Sequence, residues 1–276
     1  PVHSWLPDAH TEAPTGGSIM LAALMLKVGA FGFLRFNLPI VPEASAFFAE
    51  YMIGLSLFSL IFIGLVTLLQ KDIKRLIAYS SISHMGIVTM GIFLMYQLTE
   101  DAVHEAGLLA LQGSVVQMVA HGLSSAGLFL AFGFMYQRLQ SREMSSFGGV
   151  AKSMPILTTF FVLFGLSNIG LPGTGGFVGE IMVIMASFHV SMWLALAASL
   201  TLVLSASYTL WMIKQVFYGR ITNIILLETA DIDLQEAFVL SLLALGVLIL
   251  GCYPEILISY THQSCLDLIE TTIGHH

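Results

Sequence analysis

Lys27, His84, His121 and Glu180 are isolated ionisable residues inside long apolar stretches, and together they have the chemistry to hold a proton and hand it on. Thr15–Leu34 reads TGGSIMLAALMLKVGAFGFL, twenty residues with Lys27 as the single charge. At about 1.5 Å per residue, Lys27 lies about 18 Å from one end of this stretch and about 10 Å from the other. Its side chain cannot easily snorkel out. A mid-membrane ammonium costs roughly 2.5–3.5 kcal/mol on insertion scales, so such a charge faces protein or water and is a functional candidate by default. A desolvated lysine exchanges its proton near neutral pH, whereas one paired with a carboxylate stays charged. A group that switches between those settings can load and unload one proton.

His84 lies in YSSISHMG, ten residues past Lys74, and His121 in MVAHGL, each well inside its apolar run. Histidine titrates near physiological pH. Ser80, Ser81, Ser83, Ser124 and Ser125 lie close by in sequence and suit a wetted polar path. Glu180 follows GLPGTGGFVG, near the start of a helix, where the dipole favours a carboxylate and burial favours the acid. That balance suits a protonation site. Plainer alternatives stand beside these readings: a lysine paired with a buried carboxylate to fix packing, two packing histidines, and a glutamate placed by helix-end preference. Asp8, His10 and Glu12 lie in WLPDAHTEAP, and for Asp8 and His10 a capped interfacial turn is the favoured reading, with Trp5 in an interfacial belt. Lys71-Asp72-Ile73-Lys74-Arg75 reads as a solvated loop that helps to set topology.

These residues need apolar helices to position them. The chain is 57% apolar and 10% charged, with mean hydropathy +0.87, where soluble domains are about 25% charged. It reads as a polytopic, all-α membrane protein. The net charge of -7 comes with no basic patch, which argues against nucleic acid. Cys252 and Cys265 have no CxxC spacing, so iron–sulfur and zinc sites find no support, and no residue is assigned to metal ligation or covalent catalysis.

Spanning segments are expected at about 15–36, 46–69, 75–97, 106–137, 155–189, 192–213 and 236–259, with the tail of another at 1–10. Segment 155–189 is too long for one crossing and is interrupted by GLPGTGG at 170–176. Pro172 removes a backbone donor and the glycines loosen the chain. Two half-helices around an unwound centre are therefore expected, and in transporters such breaks mark ion or substrate sites. Lys71, Lys74, Arg75, Arg138, Arg142, Lys152, Lys214 and Arg220 fall in alternate connections, eight of the ten basic residues. The positive-inside rule makes that face cytoplasmic or matrix. The alternation holds only if the broken segment counts as one crossing. The connection at 215–235, with Glu228, Asp231 and Asp233, reads as interfacial, and 253–276 reads as a tail on the opposite side. The organisation expected is the end of a preceding span at 1–14, a Lys27 helix at 15–45, a five-helix unit at 46–214 containing the break, and a connection, last span and tail at 215–276. Because it begins Pro1-Val2-His3 within a dense motif, the chain reads as lacking an N-terminal part; His275-His276 reads as native or as a tag remnant.

Four segments in order, PVHSWLPDAHTEAPTGGSIMLAALMLKVGAFGFLRF, QKDIKRLIAYSSISHMG, QMVAHGLSSAGLF and GLPGTGGFVGE, resemble the antiporter-like membrane subunits of respiratory complex I (NADH-quinone oxidoreductase). The resemblance is closest to their M type, also called chain 4. More distant are multisubunit cation/proton antiporters and membrane-bound hydrogenases. The resemblance implies a fourteen-helix subunit of two inverted five-helix repeats, of which this chain holds the end of the seventh helix and the eighth to fourteenth, with the second repeat complete and its broken helix at 155–189. It implies a translocase subunit whose proton relay includes Lys27, His84, His121 and Glu180, with NADH, FMN, iron–sulfur clusters and quinone handled by partner subunits. Neighbouring complex I membrane subunits, lipid and protons are the implied partners. The setting it implies is the bacterial inner (plasma) membrane, with the mitochondrial inner membrane as the alternative. The connection around Thr99–Gly113 is longer than usual for the M type. Three rivals remain at this level: a Na⁺/proton antiporter subunit, a haem carrier using His84 and His121 as axial ligands, and a structural scaffold.

Overall fold

Proline and glycine stop the helices where the backbone must turn, and the remaining chain is helical. The computed structural model describes residues 2–99, 102–221, 226 and 229–273. Pro1, Glu228, His275 and His276 lie outside the described residues. In order, the helices of eight residues or more are α1 Trp5–Glu12, α2 Thr15–Ile40, α3 Pro42–Leu68, α4 Ile73–Gln97, α5 Val103–Leu139, α6 Pro155–Ile169, α7 Gly175–Val190, α8 Met192–Phe217, α9 Leu234–Cys252 and α10 Glu255–Ile273. Among the described residues there is no strand, and six helices (α2, α3, α4, α5, α8 and α9) are long and apolar enough to cross a bilayer. At about 1.5 Å per residue, α6 and α7 are each too short to cross alone. The fold is an all-α, polytopic helix bundle with a discontinuous helix.

The centre of the bundle is α5, which packs against α2, α4, α6, α7, α9 and α10. Its most apolar window is 72% buried and that of α4 is 78%, against 17% for α2, so the core lies along α4 and α5 and α2 lies at the edge. α5 and α7 approach closely, and small residues allow it. A Cβ on Gly179 would come within 2.6 Å of the Gln117 backbone, and one on Gly175 within 3.1 Å of Ala120. This GxxxG spacing lets two helices touch along their backbones, the usual basis of tight packing in membranes.

The break between α6 and α7 is closed by its own hydrogen bonds. Gly170 takes a left-handed conformation (φ 81°), and the amides of Gly170 and Leu171 return to the carbonyls of Ser167 and Leu166, both at 3.1 Å. This glycine-terminated closure satisfies the last carbonyls of α6. The Thr174 hydroxyl donates to Leu171 O at 2.7 Å. Non-helical backbone at membrane depth is tolerated where protein covers it or where it lines a water-filled cavity. α9 covers one side of this break, with Gly251 against the backbone of Gly173 and Thr174, whereas Leu171, Pro172 and Gly173 are exposed in this chain. At the other end, the Asp231 carboxylate accepts from the amides of Ile156 and Leu157 (2.7 and 3.1 Å), capping α6 from a distant part of the chain.

Basic residues gather at one end of the bundle. The connections at 69–72 and 140–144 are tied together by Ile73 N–H to Arg142 O (3.0 Å) and Met144 N–H to Lys71 O (2.9 Å). Lys71 and Arg220 line one cleft there, Arg142 lies 3.6 Å from Asp72, and Arg75 pairs with Asp8.

Three local expectations differ from what the fold shows. Asp72 caps α4, accepting from the amides of Lys74 and Arg75, so Lys74 enters the first turn and is 6% exposed rather than solvated. Its ammonium donates to Ala13 O at 2.7 Å. His10 is fully buried rather than interfacial. The segment after the last span is not an extended tail: Tyr253 and Pro254 end α9, and α10 folds back on α5, burying Cys265, Ile269 and Thr272. The His262 ring is 3.1 Å from Gln112.

Candidate functional site: a buried lysine–histidine–histidine–glutamate cluster

The four residues singled out from sequence come from four helices and meet at the centre of the bundle. Lys27 on α2 follows a widened, π-helical turn at Leu21–Met25, a feature common at functional sites. Its ammonium donates to Ala22 O within that turn. It also lies 2.7 Å from His121 Nδ1 on α5. Gly122 makes room for the approach: a Cβ there would sit 3.2 Å from Ala23 O and 3.7 Å from Lys27 Cε.

The second pair is His84 on α4 and Glu180 on α7, with His84 Nδ1 2.7 Å from Glu180 Oε1. Both side chains are 1% exposed. Gln117 Nε2 donates to the same carboxylate oxygen at 2.9 Å, and the Tyr208 hydroxyl lies 3.3 Å from His84 Nε2. An ionised Glu180 with an Nδ1–H tautomer of His84 satisfies all three contacts, the tyrosine then donating to the free Nε2. Glu180 Oε2 has no hydrogen-bond partner among the described residues. It faces the helix break, where a Cβ on Gly170 would meet it at 3.3 Å.

The two pairs stand side by side. The rings of His84 and His121 have centroids 5.6 Å apart and are tilted by 44°, and His121 Nε2 is buried without a hydrogen-bond partner among the described residues. The cluster therefore runs Lys27, His121, His84, Glu180, with a hydrogen-bond-length contact inside each pair and two neighbouring imidazole rings between the pairs. Ser80, Ser81, Ser124 and Ser125 are buried nearby, with hydroxyls donating to carbonyls of their own helices. Ser83 donates across to Leu60 O. Their oxygens keep lone pairs free to accept.

Two members of the cluster were missed from sequence. Gln117 had a signal, since it lies one helical turn before His121 and so shares its face. Tyr208 had none, because a tyrosine in an apolar helix reads as packing. His10 was misjudged, and it stacks on Phe129 with ring centroids 4.8 Å apart.

A bundle of apolar helices around a helix broken mid-course and a buried Lys/His/His/Glu cluster defines a multi-pass membrane protein of antiporter-like fold. The family described as NADH:quinone oxidoreductase/Mrp antiporter, TM, matches residues 1–205, and the chain belongs to it. It is 40% identical over 270 residues to NADH-ubiquinone oxidoreductase chain 4 of Chondrus crispus, covering 98% of this chain and 53% of that protein. It is 40% identical over 275 residues to NADH-quinone oxidoreductase subunit M of Rhodobacter capsulatus, covering 100% of this chain and 50% of that one. The fold matches a chain of respiratory complex I from Thermus thermophilus, solved with bound NADH, at TM-score 0.87 and 30% identity over 99% of this chain and 55% of the other. The chain thus spans about half the length of the curated relatives it matches.

Proposed function

We propose that this chain is part of a proton-translocating membrane subunit of NADH-quinone oxidoreductase, of the M (chain 4) type, and that Lys27, His121, His84 and Glu180 are its relay. The observation that carries this reading is the cluster itself: four titratable groups from four helices, paired at 2.7 Å on each side of a single ring-to-ring step. In this mechanism Lys27 holds a proton and releases it to His121. The proton crosses from His121 to His84 through a water or by rotation of a ring. Glu180 receives it through His84 and exchanges it at the helix break. The chain has no redox role in this scheme: NADH, FMN, iron–sulfur clusters and quinone belong to partner subunits, and quinone reduction drives the relay through the neighbouring membrane subunits. The setting is an energy-conserving membrane, the bacterial inner membrane or its mitochondrial counterpart.

The donor set favours H⁺ over Na⁺, because a hard cation is held by oxygen ligands, whereas three of the four relay residues offer nitrogen. The test is the proton-to-electron ratio of the complete complex in sealed vesicles. Lys27→Ala and Glu180→Gln should each lower NADH-coupled proton transport about tenfold or more. Undiminished ratios in both variants would remove the proposal. Sodium-dependent pH jumps without NADH would favour the antiporter reading instead.

A further inference from the structure

The half-helix α6 has no capping residue of its own. Met154 precedes it without a side-chain cap, and Ser153 donates instead to Val150 O at 3.3 Å. Pro155 in the first position has no N–H to satisfy. The amides of Ile156 and Leu157 do, and Asp231 accepts from both, at 2.7 and 3.1 Å. A helix cap is ordinarily supplied by the residue just before the first turn. This one comes from 75 residues beyond Ile156.

Asp231 is itself tied to the central helix. Arg138, near the end of α5, donates to Ala230 O (3.1 Å) and Asp231 O (3.3 Å), and its guanidinium pairs with Glu236 of α9 at 2.6 Å. Glu236 in turn closes a capping box with Asp233. Along the body of α6 the packing is apolar, as where Phe164 fills the space beside Gly127 of α5, and apolar contact is non-directional. Among the described residues, the hydrogen bonds that join α6 to other helices or to distant connections are the two to Asp231 at its start and one from the Ser205 hydroxyl to Ile169 O (3.3 Å) at its end. About 21 Å of helix separates these ends. An axial shift at Asp231 therefore reaches the break, where a Cβ on Gly170 would lie 3.3 Å from Glu180 Oε2.

We propose that Asp231 is a positioning residue for the relay, holding α6 at the depth that keeps the backbone of the break against Glu180. This deepens the relay proposed above and rests on it. Asp231 does not touch the proton. Its cap sets the depth of α6, the depth of α6 sets where Gly170 meets Glu180 Oε2, and the break is where Glu180 exchanges its proton. A misplacement of about 1 Å at a reacting group can cost about a hundredfold in rate even when its cause lies far away. Through Arg138 the depth of α6 is referred to α5, the helix that also carries Gln117 and His121. Both oxygens of Glu180 are thereby placed in one frame, Oε1 by Gln117 at 2.9 Å and Oε2 by the break.

The test measures NADH-driven proton transport per assembled complex, in sealed vesicles carrying the complete complex, with content set by NADH–ferricyanide reduction. Asp231→Glu keeps the charge and both acceptor oxygens but lengthens the arm by one methylene. Asp231→Asn keeps the arm and loses the charge. Asp231→Glu and Asp231→Ala should each lower the rate about threefold or more, and shift the infrared carboxyl or carboxylate band of Glu180, assigned by its loss in Glu180→Gln. Asp231→Asn should stay within about twofold of wild type with that band in place. A cap that served stability alone would lower the amount of complex while leaving the rate per complex and the band as in wild type, and that result overturns the proposal. Equal losses in Asp231→Asn and Asp231→Ala would make charge rather than position the cause, and overturn it too. If Asp231→Ala does not assemble, Asp231→Glu against Asp231→Asn decides in the same way. Loss in Glu180→Gln with none in Asp231→Glu rejects the positioning role and leaves the relay standing, whereas normal transport in Glu180→Gln rejects the relay itself.

Discussion

The two halves of the cluster are built differently. Lys27 and His121 meet between the edge helix α2 and the central helix α5; Lys27 is half-buried, and its partners are a ring nitrogen and a carbonyl. His84 and Glu180 meet inside the core, each 1% exposed, and the carboxylate accepts from both an imidazole and an amide. Among the described residues the first pair has no carboxylate contact to hold the lysine charged. The second has a fixed acceptor in a rigid frame. A proton path needs both kinds of site, one that can change partner and one that defines where the proton must arrive.

The most severe way to break this contrast is to remove the fixed acceptor. Glu180→Ala strands His84 and Gln117 without their shared partner, and breaking a buried ionic pair on one side costs about 3–5 kcal/mol. Loss of the folded subunit from membranes, or a thermal midpoint lowered by many degrees, is the expected result. Glu180→Gln should assemble and yet fail to pump. By contrast, Lys27→Ala should assemble normally and fail only in transport. Equal stability losses in the Glu180→Ala and Lys27→Ala variants would show that the two pairs are not built differently after all.

A gentler probe acts on the first pair alone. Gly122→Val places branched carbon where the approach to Ala23 O is already 3.2 Å for a Cβ. It should push α2 away from His121 and slow proton transport roughly tenfold while leaving the His84–Glu180 contact intact. Histidine ring NMR would check this, the His121 signals shifting and those of His84 holding. The smallest effect is expected from Tyr208→Phe. It removes one hydroxyl 3.3 Å from His84, a long contact worth about 0.5 kcal/mol, and should slow transport only about twofold to threefold. A larger loss would make Tyr208 a member of the relay rather than a support for His84.

Much of the architecture was legible because bilayer physics leaves few options. An apolar run of twenty or so residues must be a helix, since unpaired backbone groups cannot face lipid, and Pro172 among glycines must break one. Lys27, His84, His121 and Glu180 stood out for the same reason. What escaped notice depended on neighbours far along the chain. Lys74 reads as a loop cation until Ala13 supplies a buried carbonyl for it. The residues after Cys252 read as a tail until α5 offers a surface on which Cys265 and Ile269 are buried. His10 reads as interfacial until Phe129 covers it.

From composition and spacing alone followed the number and placement of the apolar spans, the interruption at 170–176 and the identity of four charged or titratable groups within lipid depth, because each is a one-dimensional consequence of excluding water from the backbone. Partner choice was decided in three dimensions. Lys27 contacts a histidine instead of a carboxylate, and Glu180 lies against Gln117 and His84, because Gly122 and Gly179 let particular helices approach within backbone contact. Which side chains then meet depends on the rotation and depth of each helix, and no local pattern encodes those.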